Sequence, residues 1–472
     1  MAPLQVLTLN CWGLWLLSKK RYNRILHLCE FLANDAKEKH ELDLVLLQEV
    51  WCDCDVDLII SAAKLSGLVH ATHYRSGIFG AGLLTLSRYP ITDTDFHLYM
   101  AAGDPASIGC GDYYAAKGVG YARVAAPSGP IDVFNTHLHA NYHHTYDKPS
   151  GPDAVPAPST DDYAAFRMAQ VLELARYVNA VSRSSGSGGA VLGGDLNCKP
   201  GTLEQEVLRA LLPQLRDAWQ EAHGPAADGF TCKAPGNTFP PRRQPPERID
   251  YVLTTFGVAG CDIQLEHTPE GHSYSDHVAV RALLRLPGPG APSAAPPPAP
   301  APARRLALLS AAERVVGGGL ERAAQASSGH IMFSAIMAVQ ALGFCFFAQL
   351  MRLLGKSLHP SAAFAPPLAA IVCAAGAAIF FVMGVAADGG QARALQQATQ
   401  QLGVMVEAAG GRAGRVVTGG VGGSGEPGSG APGSGAPGGG ARQEEEERVE
   451  RAERRKGGAE PGAAAAGGKK KK

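Results

Sequence analysis

The chain has 472 residues, 43 of them basic and 43 acidic, and 46% of it is hydrophobic. Balanced charge supplies no global field for nucleic acid, whose phosphates usually call for a basic excess on the binding domain. The opening MAPLQVLTLNCWG lacks the basic segment and long apolar run of a secretory signal, so the eight cysteines before residue 290 read as reduced thiols in a cytosol-facing domain. Cys52 and Cys54 form a lone C-x-C pair, without the second Cys/His pair that a structural zinc site needs.

Residues 1–286 alternate short apolar runs with amphipathic stretches. The patterns predict strands over 4–9, 43–47, 82–87, 118–124, 131–136, 190–193, 249–253 and 278–284, and helices over 22–34, 161–181 and 203–212. Asp161 and Asp162 suit a helix N-terminus, where carboxylates meet the positive end of the dipole. Many short strands with interleaved helices point to an α/β (α+β) layered sandwich rather than to one parallel sheet. Residues 141–160 form a polar, proline-rich insertion that would lie beside any site built on the preceding histidine-bearing strand end.

A Pro/Ala-rich linker follows over 287–303, then a membrane region over 304–387. Within it, 331–350 and 368–387 carry no formal charge, and about twenty residues suffice to cross a hydrocarbon core of ~30 Å. Gly343, Gly376 and Gly384 would let two such helices pack closely. A hairpin returns the tail to the side of the first domain. Residues 388–472 read as a low-complexity, charged and disordered tail; its closing KKKK is either a solvated charge run or a retrieval signal of the di-lysine type.

Polar residues recur where apolar strands end: Asn10 after VLTL, Gln48 and Glu49 after LVLL, His137 and His139 after DVFNT, Asp195 and Asn197 after VLGG, Asp250 after RI, and Asp276 and His277 before VAV. One such residue is ordinarily a cap or a solvated side chain. Six such places in one domain, all bearing metal-ligand or acid/base types, point instead to one site at a sheet edge. Mg²⁺ takes hard oxygen ligands, commonly one or two carboxylates plus substrate phosphate, and Glu49 with Asn10 or Asp276 would supply them. His277, oriented by an aspartate, could take a proton from water, while His137 and Asn197 could donate to phosphoryl oxygens. His143 and His144 read as solvated, and Trp12 and Trp51 as packing residues.

LNCWG, LLQEVW, NTHLHA, GDLNCKP, RIDYVL and SDH occur in the order that resembles the endonuclease/exonuclease/phosphatase superfamily, across residues 4–286. The longer stretches LNCWGLWLLSKKR, YRSGIFGAGLLTLSRYPI, KGVGYARV and THLHANY resemble the neutral sphingomyelinases, in particular their short two-helix membrane form. The resemblance implies a DNase I-like four-layer sandwich with a C-terminal two-helix transmembrane hairpin. It implies a Mg²⁺-dependent phosphodiesterase that hydrolyses sphingomyelin to ceramide and phosphocholine at the endoplasmic reticulum or plasma membrane, with no nucleic-acid partner. Glu49 would be the main metal ligand, Asn10 close to the metal and its water, and Asp276 at the metal or just behind it. His277 would be the base and Asp250 the acceptor of its other ring N–H. Asp195 and Asn197 would position water and phosphate, and His137 would stabilise developing charge. Whether Asp195 or His277 activates the nucleophile stays open.

Asp112 and Lys117, in DYYAAKG, read either as a mobile pair gating the substrate path, as the resemblance suggests, or as an exposed ion pair on a turn. Tyr113 and Tyr114 could wall a choline group or pack inward. Three other activities compete with the favoured one: a phospholipase C on choline lysophospholipids, an inositol-phosphate phosphatase, and a catalytically inactive membrane scaffold. The complete set of metal and base residues argues against the last.

Overall fold

Leucyl and β-branched runs build twelve strands into two sheets in a computed structural model, which describes residues 3–410 except 16, 35–41, 78, 108, 143–153, 159–160, 240–244, 289–294 and 356–363. The first sheet contains β1 (Leu4–Asn10), β2 (Leu44–Gln48), β3 (His70–Tyr74), β4 (Leu83–Ser87), β11 (Gly257–Gln264) and β12 (Ala279–Arg285), in the order β11-β12-β1-β2-β4-β3. The second contains β5 (Ile91–Leu98), β6 (Gly118–Ala126), β7 (Gly129–His137), β8 (Ala190–Asp195), β9 (Arg216–Asp217) and β10 (Asp250–Thr254), in the order β5-β6-β7-β8-β10-β9.

Side chains alternate across a strand, so each sheet has two apolar faces to cover. Val6 and Leu46 of the first sheet pack against Val133, Val191 and Val252 of the second. On the outer face, Leu7, Leu9, Val45 and Leu47 meet Ile25, Leu28 and Ile59 from α1 (Arg21–Asn34) and α2 (Asp53–Lys64). Phe134 and Leu192 meet Met168, Leu172 and Leu208 from α3 (Ala164–Ser184) and α4 (Leu203–Leu211). The result is the helix–sheet–sheet–helix sandwich the sequence predicts.

Several elements escape the sequence patterns. The strand β5 reads ITDTDFHL and is mostly exposed, so no apolar face marks it, and β3 is HATHY. The predicted helix over 161–181 starts later, at Ala164; Asp161 lies ahead of it, accepting from the Tyr163 N–H at 3.1 Å and from Arg167 at 2.8 Å. The insertion 141–160 and the charged tail with its closing lysines lie largely outside the described residues.

The C-terminal region differs most. A single helix α6 (Pro302–Leu353) begins with proline at its first turn, where the missing N–H costs nothing. At 52 residues it is about 78 Å long, more than twice a hydrocarbon core, so only part of it can be a span. Its first half buries Leu308, Leu309, Ala312 and Val316 in the α3–α4 core. A second helical run comprises α7 (Ala365–Val382), a π-helical turn (Met383–Asp388) and α8 (Gly389–Ala408). In the stretch read as tail, Leu395, Ala398, Leu402 and Val406 of α8 are buried in that same core. The sequence signal of α8 is diluted by glutamines and glycines, and packing rather than propensity sets it. Among the described residues, two helices are long and apolar enough to cross a membrane.

Arg167 ties the second sheet to its helices: fully buried, it meets Asp161 at 2.8 Å, Glu204 at 3.0 Å and the backbone oxygens of His139 and Ala140. Arg167→Ala would strand two buried carboxylates, and thermal or denaturant unfolding should show a loss of about 3–5 kcal/mol.

Candidate active site

The strand registers bring the polar ends together. β1 and β2 are parallel with Asn10 opposite Gln48, and β7 and β8 are parallel with His137 opposite Asp195, which pairs in turn with Asp250 on β10. His277 immediately precedes Val278 and Ala279, where β12 starts, and bridges to Cys232. Two close approaches need glycine. A Cβ on Gly13 would lie 2.2 Å from the Glu49 carbonyl oxygen, and one on Gly194 (φ 142°) would lie 1.9 Å from that of Thr136. Non-glycine residues with left-handed backbone cluster here too: Glu49 (φ 57°), Asn197 (φ 49°), Trp12 (φ 47°) and Ala116 (φ 43°). Such conformations cost of order 1–3 kcal/mol each and persist where surrounding structure over-determines them.

Asn10 stands at the centre. Its Nδ2 donates to Glu49 Oε1 and to Asp195 Oδ2, both at 3.0 Å, while its Oδ1 accepts from the Trp12 N–H. In this arrangement Asn10 holds two carboxylates through its Nδ2, while its Oδ1 accepts one hydrogen bond and keeps a second lone pair. Asp195 Oδ1 accepts from the Asn197 N–H at 2.9 Å, and Asn197 Nδ2 donates to the Leu138 carbonyl at 2.9 Å. His277 Nδ1 lies 2.8 Å from Asp250 Oδ2, and its Nε2 faces Asp195 Oδ2 across 3.9 Å.

Lys117 belongs to this site. Its ammonium donates to His137 Nε2 at 3.1 Å and to the Leu138 carbonyl at 2.9 Å, and it is ion-paired with Asp112. Both members are buried, so the exposed-turn reading does not hold. Asp112 also accepts from the Tyr142 hydroxyl. Tyr113 and Tyr114 meet edge to face at 5.1 Å, with the Tyr114 hydroxyl on the Pro105 carbonyl. His139 stacks on Tyr163 at 4.7 Å, away from the other strand-end groups.

Burial and like charge shape the protonation. Burial and the neighbouring Asp276 raise Glu49 above the usual carboxylate range, and burial with Asp250 nearby pushes Asp195 up to about 7. Burial and the Lys117 ammonium hold His137 well below an ordinary histidine, as expected of a ring whose Nε2 accepts a hydrogen bond. Burial alone would lower His277, but Asp250 overrides it and sets His277 well above the ordinary value. Despite burial, Lys117 draws Asp112 below the carboxylate range.

The residues fit a hard cation. Glu49 Oε2 is buried with no protein partner, and Asp276 lies close enough to repel it. A divalent cation would satisfy both carboxylates. Asp195, Asp250 and His277 also present ligand atoms within 4.8 Å of one another, but the 2.8 Å His277–Asp250 hydrogen bond makes that trio read as an oriented base. Asn10, Glu49, Asp112, Lys117, His137, Asp195, Asn197, Asp250, Asp276 and His277 fall at this edge. What sequence reasoning missed is Asn135, the partner of Gln48 beneath it. Gln48 Nε2 donates to Asn135 Oδ1 at 2.8 Å and to Thr8, and Asn135 Nδ2 donates to the Leu47 and Leu84 carbonyls, joining the two sheets. A period of two could have flagged Asn135, which precedes His137 by two and shares its face.

A family model described as the Endonuclease/Exonuclease/phosphatase family matches residues 7–277. Sphingomyelin phosphodiesterase 2 of Homo sapiens is 33% identical over 301 residues, covering 60% of this chain and 64% of that protein. The inositol phosphosphingolipids phospholipase C of Schizosaccharomyces pombe is 31% identical over 317 residues, covering 60% of this chain and 68% of that one. The match thus spans less than two thirds of the human protein's length. Among solved structures, a beta toxin of Staphylococcus aureus overlays 60% of this chain and all of its own, with 18% identity and a TM-score of 0.46.

In metal-free protein the His277 ring should titrate above the ordinary value of about 6.5, and Asp250→Asn should move it down. NMR of the imidazole carbons checks this; an unmoved titration in the variant would contradict the assigned pair.

Proposed function

The chain belongs to the endonuclease/exonuclease/phosphatase family, and from that premise we propose that it is a Mg²⁺-dependent phosphosphingolipid phospholipase C whose substrate is sphingomyelin. The observation that carries the chemistry is the opposition of an oriented imidazole, His277 on Asp250, to the bridged carboxylates Asp195 and Glu49. Both relatives are named for phosphodiester cleavage in a sphingolipid, which selects the substrate class from the many this fold could serve.

The bond formed is from water oxygen to phosphorus, and the bond broken is from phosphorus to the ceramide oxygen, which leaves as ceramide by taking a proton from solvent while His277 later returns its own to solvent; the other product is phosphocholine. Asp250 accepts the Nδ1 proton of His277 and leaves the Nε2 lone pair towards Asp195, so the water proton passes to Nε2. Asp195 fixes that water, with Asn197 and Asn10 holding the carboxylate in place. Lys117 places a positive charge beside His137, where equatorial phosphoryl oxygens gain charge. Glu49 and Asp276 would hold Mg²⁺, which supplies Lewis-acid stabilisation of the phosphoryl oxygens when bound. The Asp112–Lys117 pair has a second use: while it is closed, the ammonium is occupied, so its exchange between Asp112 and substrate would gate turnover.

The apolar part of α6 and α7 would form a hairpin across the membrane that contains the substrate, with the sandwich on the cytosolic side. The eight free cysteines of the sandwich suit that reducing side. Endoplasmic reticulum and plasma membrane both fit.

The test is phosphocholine release from sphingomyelin in mixed micelles, with Mg²⁺ and with EDTA, alongside lysophosphatidylcholine. Release should need Mg²⁺ and fall by about 10²–10⁴-fold in His277→Ala. Glu49→Ala should abolish the Mg²⁺ response. Because His277 must be unprotonated, the rate should rise with pH through its raised pKa. Preference for the lyso-lipid would overturn the substrate while keeping the chemistry.

A further inference from the structure

The turn that follows β1 displays its apolar side chains to solvent while its backbone is pinned. Leu14, Trp15 (69% exposed), Leu17 (73%) and Tyr22 (56%) face outward, with Lys19 and Lys20 exposed between them. The two ends of the turn are anchored to the body of the sandwich. Buried Arg24 donates to the carbonyls of Cys11 and Trp12 at 2.7 Å, Lys19 at 2.9 Å and Tyr274 at 3.0 Å. The Gly13 N–H donates to the Glu49 carbonyl at 2.9 Å, and the Ser18 N–H to that of Leu14 at 3.1 Å. Exposed apolar groups held rigidly mark a partner surface. Tryptophan, tyrosine and leucine beside lysines are the composition that lipid interfaces take.

The position of this turn names the partner. Phe79, 61% exposed, lies on the loop between β3 and β4. Leu47 pairs with Leu84, so that loop leaves the same edge as Glu49. Leu98 pairs with Gly118 and Val119 with Thr136, so the loop between β5 and β6 opens there too. That loop is held by the start of α8: Gln391 Oε1 accepts from the Ala102 N–H at 2.7 Å and the Gly103 N–H at 3.3 Å. Gln391 comes three residues after the π-helical turn that closes the apolar part of the second long helix. The end of the proposed span, the catalytic edge and the apolar turn therefore share one side of the sandwich.

We propose that Leu14, Trp15, Leu17, Lys19, Lys20 and Tyr22, with Phe79, form a lipid-docking rim that seats in the interface of the membrane crossed by α6 and α7. Trp15 and Leu17 enter the boundary between headgroups and acyl chains, and Lys19 and Lys20 meet anionic headgroups. Lys20 Nζ also lies 2.8 Å from His272 Nε2, which steadies it at the rim. The inference rests on the membrane-tethered reading above and adds a second contact, one that fixes the tilt of the site. Because the Trp12 N–H binds Asn10 and the Gly13 N–H binds Glu49, seating the turn sets those residues against the lipid plane.

The test needs no turnover. The full chain is reconstituted into phosphatidylcholine/phosphatidylserine vesicles whose acyl chains carry bromine, and tryptophan quenching is compared between wild type and Trp15→Phe. Docking predicts that most of the quenching is lost with Trp15, and that Lys19→Glu/Lys20→Glu reduces the wild-type quenching in anionic vesicles but not in pure phosphatidylcholine. Equal fractional quenching with and without Trp15 would overturn the proposal. Retention on vesicles after an alkaline wash reads the helices separately, and phosphocholine release reads the catalytic assignment, so the three can fail independently.

Discussion

The side-chain amide of Asn10 is where the two sheets become one site. It lies on the first sheet and donates to Glu49, just past β2, and to Asp195, at the end of β8 on the second sheet. Each carboxylate is buried, and an isolated buried carboxylate is strongly disfavoured. Two of them held 3.0 Å from one nitrogen require further compensation, and the surroundings supply it unequally. Asp195 has the Asn197 N–H and the facing His277, whereas Glu49 Oε2 has nothing and Asp276 works against it. The metal reading comes from that imbalance.

The same sheet junction explains the rigidity of the site. Beneath Asn10, Gln48 donates to the Asn135 amide oxygen and Asn135 donates to the Leu47 and Leu84 carbonyls, linking the two sheets. Strained backbone at Trp12, Glu49, Ala116 and Asn197 is held by this frame, and each residue either belongs to the site or adjoins a residue that does. The frame continues outward. Lys117 ties β6 to the end of β7, and Gln391 ties the loop before it to the helices that follow the sandwich.

What the sequence revealed follows from which signals are local. Strand-end polar residues sit in runs such as VLTLN and VLGGD, where buried leucines and valines announce the strand, so the convergence of these residues at one edge was legible. Their order along the chain, not any single motif, located them. The edge strand β5 was hidden because its exposed threonines and aspartates leave no apolar alternation to mark it. The helix α8 was hidden because its few buried leucines are spaced among glutamines and glycines, and the surface receiving them, on α3 and α6, is assembled only in the fold. Lys117 was visible but its partner was not: Asp112 is local, whereas the hydrogen bond to His137 spans a strand pairing.

The central claim is that Glu49 and its neighbours form an anionic pocket completed by a divalent cation. Thermal unfolding of the full chain, with and without Mg²⁺, in wild type and Glu49→Gln tests it most directly. Binding to the native state alone stabilises by about 2.7 kcal/mol at a ligand concentration a hundredfold above the dissociation constant. The account predicts that Mg²⁺ raises the wild-type midpoint and leaves Glu49→Gln unmoved, and that without metal the variant is the more stable of the two. An equal rise in both proteins, or none in either, would contradict it.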